Sequence, residues 1–183
     1  MSCYRRNYEK GGIYFFTLVT YKRQKIFIGH FIDLLRVSFK KTMAKTPFRI
    51  EAIVVLPDHM HCIWQLPEGD NDFSARWKGI KAEFSKRYQQ KFGGIKLPVS
   101  ASMKKKGEVG IWQRRFWEHT IRDEKDFRIH CDYIHYNPVK HGYARNPNQW
   151  PYSSFRLFVE AGVYDEVWGS MQEPKFSGNI GGE

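Results

Sequence analysis

Apolar residues recur along this chain with two different periods, and the switches between them mark its elements. Ile13 to Tyr21 is rich in β-branched and aromatic residues, follows the turn pair Gly11-Gly12, and predicts a strand. From Phe31 to Lys45 the apolar positions 31, 32, 34, 35, 39 and 43 fall near a 3.6-residue period. This predicts a helix, ended by Pro47. Arg49 to Leu56 and His59 to Leu66 are dense apolar runs separated by the turn signal Pro57-Asp58, and predict a hairpin. After a loop at Pro67 to Asn71, Asp72 or Ser74 caps a helix carried to about Phe92. Gly93 to Gly110 has no clear period, holds Lys104-Lys105-Lys106, and reads as a mobile basic loop. A short strand follows near Trp117 to Arg122. Asp123 then caps a helix from about Glu124 to Tyr136, which Asn137-Pro138 stops, because the residue before proline disfavours the α region. Beyond Gly142 the pattern is irregular, with a short helix capped around Ser153-Ser154 and running through Val159.

The order is strand, helix, strand, strand, helix, strand, helix. The first six elements give a βαββαβ pattern, which predicts an α+β fold: a ferredoxin-like sandwich on a central antiparallel sheet. The seventh is an additional C-terminal helix that carries Tyr133. A chain of 183 residues fits one domain, taken as 1–170, with 171–183 a Gly-rich flexible tail. No apolar stretch is long enough for a bilayer, and no apolar segment of a secretory signal follows Met1. Cys3, Cys62 and Cys131 are scattered and form no CxxC, which argues for a reducing, cytoplasmic setting and against a Cys-rich zinc site.

Charge changes this picture. A formal net charge of +11 implies a polyanionic partner, and it is unevenly spread. From Arg76 to Arg115 there are twelve basic residues, opposed only by Glu83 and Glu108. Trp77, Phe84, Tyr88, Phe92, Trp112, Phe116 and Trp117 run through the same region. Exposed rings stack on unpaired bases while basic groups hold phosphates, but most of these rings are read as core.

Candidate chemistry centres on His59-Met60-His61, inside the apolar run Ile53 to Trp64. Spacing i, i+2 on a strand puts two imidazoles on one surface, as a metal ion requires. Pattern alone leaves two readings, a metal pair or two hydrogen-bonded strand histidines. Downstream, Tyr133 and Asn137 are four apart, one turn from each other on a helix. By pattern alone Tyr133 is a packed aromatic with Tyr136, Tyr143 and Tyr152 as competitors, and Asn137 is a helix terminator. His119, His130, His135 and His141 read as surface or structural.

The motifs together say more. Tyr4-Arg5-Arg6, Gly11-Gly12 with Phe15-Phe16-Thr17, Val54 to Trp64, Leu66 to Asp70, Phe116 to His119, Asp132 to Ile134, Asn137 to Gly142 and Asp165 to Trp168 resemble the REP-associated tyrosine transposases of bacteria. These are relatives of single-strand insertion-sequence transposases with a His-hydrophobe-His motif and one catalytic tyrosine. The likeness covers roughly residues 1–170 and departs at Phe92 to Gly110, which is longer than the family pattern. It implies that His59 and His61 ligate Mg²⁺ or Mn²⁺, with Asn137 as third ligand. It implies that Tyr133 attacks single-stranded DNA, forming a 5′-phosphotyrosine link and freeing a 3′-OH. It further implies a repetitive extragenic palindrome (REP) hairpin as partner, a nucleoid-associated bacterial setting, and action as a monomer, with a dimer as the alternative. Basic positions assigned to DNA are Arg5, Arg6, Lys78, Lys81, Lys104, Lys105, Lys106, Arg114 and Arg115. The competing readings are a hairpin-binding module that does not cut, and a metal nuclease that uses water.

Overall fold

The computed structural model describes residues 7–93, 99–170, 174 and 180. Gly11, at φ +68°, turns the chain into β1 (Ile13–Val19). There follow α1 (Ile32–Lys45), β2 (Arg49–Val55), β3 (His59–Gln65), α2 (Phe73–Phe92), α3 (Ala101–Lys105), β4 (Trp117–Thr120), α4 (Glu124–Lys140) and α5 (Phe155–Glu160). The four strands form one sheet in the order β2-β3-β1-β4, with every neighbouring pair antiparallel. This is the α+β architecture that the pattern predicts, with its hairpin at Pro57-Asp58. Both helix caps read from aspartates are present: Asp72 accepts from the Ala75 amide and Asp123 from the Asp126 amide.

Strand alternation divides the core into two layers. Tyr14, Phe16 and Leu18 of β1, with Met60, Cys62 and Trp64 of β3, face α1 and α2. There Trp64 stacks on Trp77 with centroids 4.0 Å apart. Full burial of each such ring stabilises by about 3 kcal/mol, so this layer contributes more than helix propensity does. Phe15, Ile63, Ala52, Val54 and Leu56 face the other way, against Cys131, Tyr133 and Ile134 of α4. By the same parity His59 and His61 lie on the face that α4 covers.

Two expectations need correction. The tyrosine helix does not stop at Tyr136 but runs through Pro138 to Lys140. A proline in the last turn forfeits a single backbone bond. Burial of the apolar Pro138 ring offsets that loss, and Gly142 at φ +70° supplies the exit. The segment after α2 is not all loop. Residues 99–110 contain α3, capped by Ser100 and anchored by the buried Met103, while 94–98 lie outside the described residues. At α5 it is Ser153 that serves the helix start, its Oγ accepting from the Phe155 amide, while Ser154 Oγ is engaged by the Ile53 backbone and caps nothing. The tail, 171–183, lies outside the described residues except for positions 174 and 180.

The segment before α5 also completes the sheet. Val55 N donates to Tyr152 O at 2.8 Å and Ser154 N to Ile53 O at 2.8 Å, so residues 152–154 pair along the outer side of β2. Among the described residues no helix is long and apolar enough to cross a membrane.

Candidate active site

The β1–β3 register sets Thr17 opposite His61 and Val19 opposite His59. Both imidazoles are buried, at 1 % and 0 % exposure, with ring centroids 5.2 Å apart. Each has its Nδ1 engaged. The Asp58 carboxylate, which can only accept, takes the His59 Nδ1–H at 2.7 Å. The Thr17 hydroxyl lies 2.9 Å from His61 Nδ1 and can accept its proton in the same way. Held so, each ring turns Nε2 into its basic nitrogen, the arrangement common to metal-binding histidines.

Helix α4 closes the face. The Tyr133 ring is 3 % exposed and meets His61 edge-on with centroids 5.2 Å apart, while Phe15 stacks on His61 at 5.5 Å. One turn on, Asn137 is fully buried, and neither its Oδ1 nor its Nδ2 has a hydrogen-bond partner. Such a group costs about 1–3 kcal/mol and marks a place where a ligand is expected. Two imidazoles and an amide oxygen form a donor set that suits a divalent cation. The four residues singled out by sequence, His59, His61, Tyr133 and Asn137, thus share one side of the sheet.

Three neighbours escaped the sequence reading. Lys140, on the extra turn of α4, donates from Nζ to Tyr133 Oη at 3.0 Å. His141, read as surface or structural, caps α4 with its ring 4.9 Å from that of His59. Arg23 places Nη1 3.5 Å from Asp58 Oδ2, from a backbone at φ +53° beside Lys22 at φ +56°. Two adjacent non-glycine residues in the left-handed region are uncommon and cluster at functional sites.

A second polar group lies nearby. The ligand-type atoms of His119, Asp126 and His130 all fall within 4.8 Å of one another. They already bond among themselves: His119 Nε2 to Asp126 Oδ2 at 2.8 Å, and His130 Nδ1 to the Asp126 carbonyl at 2.8 Å. Burial holds His130 below the usual imidazole range. Burial works against ionisation of Asp126, but the His119 ring and the Arg122 amide outweigh it and keep the carboxyl below its ordinary value. The group clasps the first turns of α4 to β4. Toward its other end α4 is held by His135, whose Nε2 lies 2.9 Å from Ser154 Oγ and whose burial pushes it down to about 3.

The assigned basic residues divide. Arg5 and Arg6 lie outside the described residues. Lys78, Lys81 and Arg114, joined by Lys86, which was not among those assigned, line a groove of about 680 Å³ between α2 and the segment 103–116, on the α1–α2 layer of the sheet. Lys81 Nζ sits 5.6 Å from the centroid of Trp112 and 5.7 Å from that of Phe116. Lys104, Lys105, Lys106 and Arg115 are exposed beside it. Arg76, counted in the basic stretch, is buried and paired with Asp70 at 2.7 Å. As expected, Trp77, Phe84, Tyr88 and Trp112 belong to the core.

Comparison with known proteins gives the chain its family. The family model described as "Transposase IS200 like" matches residues 10–137, a span that contains both histidines, Tyr133 and Asn137. A REP-associated tyrosine transposase of Escherichia coli K12 is 45 % identical over 168 residues, covering 92 % of this chain and 91 % of that protein. A Haemophilus influenzae protein provisionally assigned to the same group is 44 % identical over 180 residues, 98 % of this chain and 100 % of its own. The solved structure of a REP-associated tyrosine transposase bound to a REP hairpin superposes with a TM-score of 0.79 at 42 % identity, covering 100 % of this chain and 98 % of that one.

Proposed function

The chain belongs to the IS200-like transposases and, among them, to the REP-associated tyrosine transposases, and from that membership we propose that it cuts and rejoins single-stranded DNA beside a REP-type hairpin through Tyr133. The observation that carries this reading is the meeting of β3 and α4. The His61 and Tyr133 rings are in contact, and Asn137 brings an unbonded amide to the same buried face. In this reading His59, His61 and Asn137 hold a divalent cation, Mg²⁺ or Mn²⁺, and Asp58 and Thr17 fix the two imidazoles for it. Bound there, such an ion would draw charge from the non-bridging oxygens of a phosphate.

The chain's own groups do the rest. Tyr133 packs against both Phe15 and His61, so its ring is held with little freedom. Its attack on phosphorus expels a 3′-oxygen and leaves the 5′-phosphate of the downstream strand on the enzyme. Because the new linkage is still a phosphodiester, the step reverses and strands rejoin. Lys78, Lys81, Lys86 and Arg114 offer the hairpin backbone a seat on the other layer of the sheet. The complex of the solved relative with a REP hairpin supports that partner.

The test is a labelled single-stranded REP hairpin with a short flanking segment, incubated with Mn²⁺ and run on a denaturing gel. A protein–DNA band is expected, lost in Tyr133→Phe and on adding a chelator. Hairpin binding with no band would favour a binding module, and cleavage that survives Tyr133→Phe would favour attack by water.

A further inference from the structure

We propose that Lys140 is a catalytic residue: its ammonium hydrogen-bonds the Tyr133 oxygen and stabilises the charge that oxygen carries during cleavage and rejoining. The proposal rests on Tyr133 being the nucleophile. Lys140 Nζ is 3.0 Å from Tyr133 Oη and 4.7 Å from the centroid of its ring, so the cation meets both the hydroxyl and the edge of the π-face. The two residues lie seven apart on α4, two turns along one face, because the helix continues through Pro138. Lys140 also stands in the last turn, where the helix dipole favours a cation. Lys140 is exposed while Tyr133 is 3 % exposed, so the cation reaches a buried side chain from the solvent edge of α4.

The chemistry balances without a net proton on lysine. In cleavage the Oη–P bond forms and the P–O3′ bond breaks. The phenolic proton passes to solvent, and the departing 3′-oxygen takes one from solvent. Negative charge gathers on Oη before the new bond is complete. In rejoining the DNA 3′-OH attacks, the Oη–P bond breaks, and the same charge returns to Oη. Lys140 keeps its three protons and donates one hydrogen bond throughout, as a fixed donor aimed at a developing oxyanion does.

The experiment compares wild type, Lys140→Met, Lys140→Arg and Tyr133→Phe in single-turnover reactions with hairpin DNA and Mn²⁺, alongside hairpin affinity and melting temperature. Methionine keeps the length of the stem without the charge. The expected result is adduct formation slowed about 10²-fold in Lys140→Met, with rejoining from the isolated adduct slowed to match. Affinity should stay within twofold of wild type and the melting temperature within about 3 °C, and Lys140→Arg should recover most of the rate. Wild-type adduct formation by Lys140→Met would overturn the proposal. So would a slowed rate explained wholly by weaker DNA binding, which would make Lys140 a phosphate contact. Adduct formation by Tyr133→Phe would instead refute the nucleophile assignment, and the proposal with it.

Discussion

Thr17 carries an obligation out of proportion to its size. It stands opposite His61 in the strand register and ties its Nδ1 at 2.9 Å, so it fixes the nitrogen that turns toward α4. Thr17→Val keeps the β-branched shape and removes the hydroxyl. We expect Mn²⁺ affinity of the metal-free protein to fall about 10–100-fold by calorimetry, the usual effect of losing an outer hydrogen bond on a ligand histidine. Metal-free hairpin binding should be unchanged. The histidines themselves were legible because strand alternation is written into i, i+2 spacing. Thr17 was not, since its role depends on which residue of one strand faces which of another. Arg23 stayed hidden for a related reason. Its approach to Asp58 follows from a left-handed backbone that no residue type there announces.

Helix α4 is the element in which sequence and structure differ most usefully. Its start was legible from Asp123, a local signal with a local effect. Its end was not, because the cost of proline is local while the burial that overrides it comes from the sheet and the C-terminal segment. That single turn hid Lys140 and displaced His141 from consideration. Sequence also could not show how the helix is seated, since the clasp joins His119 of β4 to Asp126 and His130. Burial keeps His130 neutral, with the His119 ring, Asp126, Arg122 and Phe15 around it. The unfolded chain takes up a proton near the ordinary value of about 6.5 and the folded chain only at lower pH, so stability from this group is lost as pH falls below that value. In urea titrations at pH 7 and pH 5, His130→Gln should flatten the decline. The change should be at most about 2 kcal/mol, the full linkage of one histidine over that range.

At the scale of the molecule, the sheet separates two jobs. The face under α4 gathers the reactive groups, and the layer of α1 and α2 bears the basic groove. The α+β order and the charge were both legible. Their placement on opposite layers was not, because it depends on which face of the sheet α2 and α4 each pack against. Replacing Lys78 and Lys86 by alanine should lower the slope of log affinity for hairpin DNA against log salt by about one for each phosphate no longer neutralised. The adduct rate at saturating DNA should be unaffected. The strand that residues 152–154 pair with is the outermost of the sheet. A chain cut before Tyr152 would bare that strand's row of amides and carbonyls as a template for a second molecule. Such a fragment would retain His59, His61, Tyr133 and Asn137, and self-association into aggregates would govern its lifetime in solution.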